Sequence, residues 1–144
     1  MKKIVVSDIH GSIDSVKHLI DAMNHHDIHE ILALGDFLYH GPRNPLPEAY
    51  SPKEVIPVLN TLNIEAVRGN CDAEVDQMML NFTIMETYKE IQLEDKLCIM
   101  THGHIYHPEV TPGDPDILLY GHVHLPIAKK DNGFIILNPG SITL

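Results

Sequence analysis

This sequence predicts an α/β fold of four layers, αββα, in which two mixed β-sheets are packed together and flanked by helices. Three observations carry the prediction. The first half of the chain alternates strand, helix, strand, helix, strand, which is the pattern of a sheet with crossover helices on its face. The second half is rich in strands and hairpin signals, enough for a second sheet. Finally, the residues best suited to chemistry, Asp8, His10, Asp36, Asn70, His102, His122 and His124, each follow a predicted strand. That is where α/β sheets hold their ligands.

Residues 4–7 form a short apolar strand. Ser12 then caps a helix whose Ile13, Val16, Leu19, Ile20 and Met23 fall on one face. Residues 31–34 repeat the buried-strand pattern and end at Gly35-Asp36. Pro42, Pro45 and Pro47 exclude regular structure from there to about Tyr50. Ser51-Pro52-Lys53-Glu54 combines an N-cap, a proline at the first helical position and a capping-box glutamate, and Val55, Leu59 and Leu62 supply the apolar stripe. Pro57 inside this helix should bend it or shift its start. Residues 64–67 make the third strand. Residues 88–93 and 97–100 flank Glu94-Asp95-Lys96 as a hairpin, residues 117–120 add a strand, and residues 125–128 and 134–137 flank the Asn132-Gly133 hairpin signal. There is no internal repeat, and residues 1–144 read as a single domain.

Composition narrows the function. Ten Lys and Arg against twenty Asp and Glu give a formal charge of -10, which repels a phosphate backbone unless metals or local basic residues intervene and so disfavours general nucleic-acid binding. The apolar run after Met1-Lys2-Lys3 is too short for a signal peptide or a membrane span, so the expected compartment is the cytoplasm. Cys71 and Cys98 are expected to remain thiols.

The seven singled-out residues mix carboxylate, amide and imidazole. Carboxylates alone would lean towards magnesium or calcium, whereas this mixture suits divalent first-row metals. Seven side chains are too many for one tetrahedral zinc and fit two ions that share a carboxylate. Gly121-His122-Val123-His124 is read as an extended segment that presents its two imidazoles to different ions.

Asp8-Ile9-His10, Gly35-Asp36, Gly69-Asn70-Cys71-Asp72, Thr101-His102-Gly103-His104 and Gly121-His122-Val123-His124, in this order, resemble the calcineurin-like metallophosphoesterase family. His40-Gly41-Pro42-Arg43-Asn44, Leu46-Pro47-Glu48 and the stretch 67–78 are similar to its YfcE-type bacterial phosphodiesterase branch, and the likeness spans residues 3–142. The resemblance implies one ion held by Asp8, His10, Asp36 and His124 and another held by Asp36, Asn70, His102 and His122. Asp36 would bridge the two, with a hydroxide between the ions as nucleophile. Asp36, Asn70 and His102 are the expected catalytic residues. Manganese is the leading ion, with zinc, iron, nickel and cobalt as alternatives.

Many family members carry His where Cys71 stands. The branch with Cys there is associated with phosphodiesters, and Cys is the weaker hydrogen-bond donor. Relatives also continue through further strands after Asn138-Pro139-Gly140-Ser141, whereas this sequence stops at Leu144. The expected consequence is an exposed sheet edge and a tendency to form a homo-oligomer. The expected function is metal-dependent hydrolysis of a small phosphodiester. The alternatives are a catalytically weak scaffold or binding module of the same fold and a phosphomonoesterase of the same family.

Four further residues are substrate-binding candidates. Arg43 and His40 lie in the proline-rich loop after Asp36, where a guanidinium either meets a phosphate oxygen or pairs with an acid. Cys71 adjoins Asn70, and His104 stands two residues beyond His102 as an orienting or phosphate-binding group. Arg68 is read as a member of a structural ion pair, Met78-Met79-Leu80 as core packing, Cys98 as a small buried hydrophobe, and His25, His26 and His29 as solvated surface.

Overall fold

The computed structural model describes residues 2–131 and 133–144. Strands β1 (Ile4–Val6), β2 (Glu30–Ala33) and β3 (Asn63–Ala66) form a parallel sheet in that order. Helices α1 (Ile13–His26) and α2 (Pro52–Leu59) make the crossovers. In α1 the Ser12 hydroxyl accepts from the Ser15 N–H at 3.2 Å, as the sequence predicts, and Val16, Leu19 and Met23 are buried. In α2 Pro52 opens the helix, but Ser51 makes no side-chain cap bond, so the expected capping box does not form. Pro57 has no N–H to give the Lys53 carbonyl, and α2 ends two residues later at Leu59. Val55 and Leu59 pack with Val16 and Leu19 against Val6, Ile31, Ala33 and Ala66.

The second sheet joins β4 (Tyr88–Leu93), β5 (Lys96–Thr101), β6 (Ile117–Leu119), β7 (Pro126–Asp131) and β8 (Phe134–Pro139) in the order β4-β5-β6-β8-β7. It is mixed. The hairpins β4-β5 and β7-β8 are antiparallel, while β5-β6 and β6-β8 are parallel. Asp131 pairs with Phe134 where the Asn-Gly turn was expected, and Asn132 itself lies outside the described residues.

Between the sheets, Leu32, Leu34 and Val67 meet Cys98, Met100 and Leu119. Because its neighbours close both faces, β5 is buried from Cys98 to Thr101 and reads as a continuous apolar run. On the far face of the second sheet Ile99, Leu118 and Ile136 cluster. There Gly113 of the 102–116 connection lies against Ile99. Among the described residues α1 and α2 cover the first sheet, and α3 (Glu74–Met79) runs beside the strand ends with none of its residues buried. The expected core role of Met78-Met79-Leu80 is therefore corrected. Met78 is 82% and Met79 51% exposed, and only Leu80, past the helix end, turns inward at 5%. No described helix is long and apolar enough to cross a membrane.

Candidate metal centre

The carboxyl ends of β1, β2 and β3 meet those of β5 and β6, so loops from both sheets build one site. The Asp8 and His10 N–H groups donate to the Gly35 and Asp36 carbonyls, and the Gly121 N–H donates to the His102 carbonyl at 2.7 Å. Gly69 and Gly121 allow this approach. A Cβ on Gly69 would collide with Asp36, and one on Gly121 with Ser7.

All seven expected ligands converge. Asp8 Oδ1 lies 3.4 Å from His10 Nε2 and 3.2 Å from His124 Nε2. Asp36 Oδ2 lies 3.1 Å from His102 Nε2 and 3.7 Å from His10 Nε2, which places it between the two groups. Asn70 Oδ1 is 3.0 Å from His102 Nε2 and 3.1 Å from His122 Nδ1. Asp8, His10 and His102 are fully buried and Asp36 nearly so.

The donor set fits metal. His10 Nδ1 donates to the Tyr39 carbonyl at 2.8 Å and His102 Nδ1 to the Leu34 carbonyl at 2.7 Å, so each neutral ring turns its Nε2 lone pair inward. Those lone pairs face carboxylate and amide oxygens that are acceptors too, and His10 Nε2 has no hydrogen-bond partner. Convergent acceptors require a positive partner, either a proton or a metal ion. Ligands at about 2.1 Å from one ion stand roughly 3.0 to 3.5 Å apart, in line with the contacts within each group. The atoms of Asp8, His10 and His124, and those of Asp36, His102 and His122, form two compact sets.

Electrostatics point the same way. Burial alone would raise Asp8, but the His10 contact and the charge of His102 outweigh it and hold its carboxyl well below the usual range. Burial would lower His10 and His102, yet the neighbouring Asp8 and Asp36 raise both. His122 is lowered by its burial and by His102.

The His122–His124 segment is not extended, which corrects the sequence reading. On an extended strand residues i and i+2, such as His122 and His124, would share a face. Here both have left-handed backbone, φ 70° and 60°, and the resulting coil sends one ring to each set.

A cavity of about 180 Å³ opens over the site, lined among others by Asp36, Arg43, Asn44, Cys71, His122 and His124. Of the substrate candidates, Arg43 and Cys71 reach it. His40 packs edge-on against Tyr39 and Tyr50 instead, and its carbonyl accepts from Asn44 Nδ2. The His104 ring packs against His102 at 5.3 Å between centroids, and its burial lowers its pKa. Burial, then Asp36 and Asp72, push the Cys71 thiol up to about 12. Arg68 makes no ion pair among the described residues, and its Nε donates to the Asp72 carbonyl at 3.0 Å.

Sequence reasoning gave Asp72 no role. Its buried carboxylate accepts from the N–H groups of Asp36, Phe37 and Gly69 at 2.7 to 2.9 Å and so clamps the loop after β2 to the loop after β3. Burial pushes it up to about 6, with the Phe37 N–H opposing and the Asp36 charge adding to the rise. Its signal was the acid that closes Gly69-Asn70-Cys71-Asp72. Ser141 also went unassigned, and its hydroxyl donates to the Asp8 carbonyl at 2.8 Å.

Comparison with known proteins agrees with this geometry. Residues 1–144 match the Calcineurin-like phosphoesterase superfamily domain. Phosphodiesterase YfcE of Escherichia coli (strain K12) is 42% identical over 148 residues, covering 100% of this chain and 80% of the relative. A solved structure of the E. coli phosphoesterase Yfce superposes with a TM-score of 0.96 at 41% identity, covering 100% of this chain and 81% of that one. Phosphodiesterase MJ0936 of Methanocaldococcus jannaschii is 24% identical and covers 97% of this chain and 83% of its own length. Wild-type Vps29 of Entamoeba histolytica, solved with Zn2+, shares the fold at a TM-score of 0.63 and 24% identity, covering 99% and 76% of the two chains.

Proposed function

Because this chain belongs to the calcineurin-like phosphoesterase superfamily, we propose that it is a phosphoric diester hydrolase working on a small diester with two divalent ions, manganese foremost. The observation that carries this reading is the inward convergence of four imidazole nitrogens, two carboxylates and one amide oxygen. Asp8, His10, Asp36 and His124 hold one ion. Asp36, Asn70, His102 and His122 hold the other. Bound there, the pair supplies Lewis acidity towards a phosphoryl oxygen and lowers the pKa of the attacking water.

The chain's own groups do the rest. The Tyr39 and Leu34 carbonyls fix the rings of His10 and His102, and Asp72 fixes the backbone of Asp36. The neutral Asn70 oxygen donates less charge than a carboxylate and leaves its ion more electrophilic. Arg43 lines the cavity and suits two phosphoryl oxygens at once. Cys71 offers only a weak donor, enough for a leaving group that departs as a stable anion. The filled ligand set argues against a pure scaffold. The proposed compartment is the cytoplasm.

Two measurements test the reading. Chelation should abolish hydrolysis of an activated diester, and manganese should restore it better than magnesium, since four imidazoles suit the softer ion. Asp36→Asn should abolish hydrolysis in a folded protein. Full activity in magnesium alone, or wild-type rates in the variant, would contradict the ligand assignment.

A further inference from the structure

A second, wider groove of about 730 Å³ adjoins the metal cavity and shares Pro42, Asn70 and Cys71 with it. Tyr39, Ala73 and Val75 give it apolar wall, and Arg68 gives it a cation. Tyr39 and Val75 line this groove together, beside the metal cavity and not within it. Tyr39 is 42% and Val75 61% exposed. The Arg68 Nε is fixed by the Asp72 carbonyl, so the guanidinium is held in place, and among the described residues no carboxylate pairs with it.

A diester carries two alcohol groups on one phosphorus. With the phosphoryl oxygens over the ions and Arg43, the space beside Asn70 and Cys71 is where an ester group must run. Accordingly, resting on the phosphodiesterase reading above, we propose that the groove of Tyr39, Val75 and Arg68 receives one ester group of the substrate and selects a flat aromatic one. Tyr39 offers an aromatic ring, Val75 an aliphatic contact, and Arg68 a guanidinium that stacks on π-systems. The group received is the alcohol retained on phosphorus, so the substrate class is a phosphodiester whose retained alcohol bears an aryl or heteroaryl ring, in preference to one whose retained alcohol is alkyl.

The test separates binding from turnover by using phosphonates, whose carbon–phosphorus bond is not hydrolysed. Phenylphosphonate and methylphosphonate are titrated calorimetrically into the manganese-loaded full chain. In parallel, kcat/KM is measured for phenyl and methyl p-nitrophenyl phosphate. The phenyl compound should bind and react about tenfold better, the size of one good ring contact. Val75→Asp and Tyr39→Ala should each pull that phenyl-to-methyl ratio towards one. Val75 is exposed on α3, so its variant folds even if the Tyr39 variant does not. Equal binding of the two phosphonates by the wild type, or a ratio unmoved by Val75→Asp, overturns the groove assignment. A phenyl preference in binding with no turnover of either diester leaves the groove standing and removes the hydrolase reading instead.

Discussion

Among the described residues seven non-glycine positions have left-handed backbone, and five of them are proposed ligands: Asp8, His10, Asp36, His122 and His124. The other two end helix α1 (Asp27) and turn the β4-β5 hairpin (Glu94). Such a conformation costs an L-residue roughly 1 to 2 kcal/mol. The chain therefore accepts strain where a straight strand end could not turn donors onto a common point. Cys71 shows how one side chain can set the chemistry within that frame. Its N–H donates to Asp36 Oδ1 at 2.8 Å, which fixes its backbone, and its side chain lines both cavities. A poor alkoxide leaving group needs an acid beside it, and a protonated thiol is a weak one. Cys71→His should therefore raise monoester relative to diester hydrolysis, by up to ~10² if the imidazole reaches the leaving oxygen. The measurement is the ratio of kcat/KM for a monoester and a diester with one leaving group, at matched metal content. A ratio that stays put would shift responsibility for substrate class to the loop carrying Arg43.

At the scale of elements, β1, β2, β5 and β6 were legible because each pairs a short apolar run with a turn signal shortly after its end. The β4-β5 hairpin is read correctly because Glu94-Asp95-Lys96 interrupts two β-rich stretches. What was not legible follows from tertiary placement. Helix α3 buries nothing, so its Met78 and Met79 carry no sequence mark to distinguish them from core methionines. The path of His122–His124 depends on left-handed turns that His rarely announces, and Arg68 turns to the Asp72 carbonyl where an acid was expected. Cys98 in β5 is placed correctly as core, and it makes a pH prediction. Burial pushes its thiol from 9.0 up to about 12. Once unfolded, the thiol ionises from about pH 9, while the folded chain keeps the proton, so stability is unaffected below pH 9 and falls as pH rises above it. This contribution is at most about 1.4 kcal/mol per pH unit. Urea unfolding from pH 8 to 10.5 should show that slope reduced in Cys98→Val. An identical slope in both proteins would mean the thiol is not held neutral by the core.

The whole molecule is two sheets that meet along Leu32, Leu34, Val67, Cys98, Met100 and Leu119, with the proposed ions at one end of that seam. Asp8, His10, Asp36 and Asn70 come from the first sheet's loops, and His102, His122 and His124 from the second's. An ion held by both sets as proposed would tie the sheets together and bind only the folded chain. It would also relieve an interior that gathers two carboxylates in a protein of formal charge -10. Linkage gives about 2.7 kcal/mol of added stability when free metal is at 100 times its Kd. For a chain of this length each kcal/mol moves Tm by about 2 to 4 °C, so each manganese ion should raise Tm by roughly 5 to 10 °C and the pair by roughly 10 to 20 °C. Calorimetry with manganese and with EDTA measures the increment in one protein, so any change in metal-free stability cancels when a variant is compared. Asp36→Asn should show less than half of the wild-type increment, because Asp36 is the carboxylate proposed to serve both ions, with its Oδ2 3.7 Å from His10 Nε2 and 3.1 Å from His102 Nε2. His29→Ala, on an exposed residue whose side chain contacts only Asp27 among the ion pairs of the described residues, should keep it in full. If Asp36→Asn gains as much from manganese as the wild type, the ions do not share that carboxylate, and the link between the sheets must be drawn through other donors.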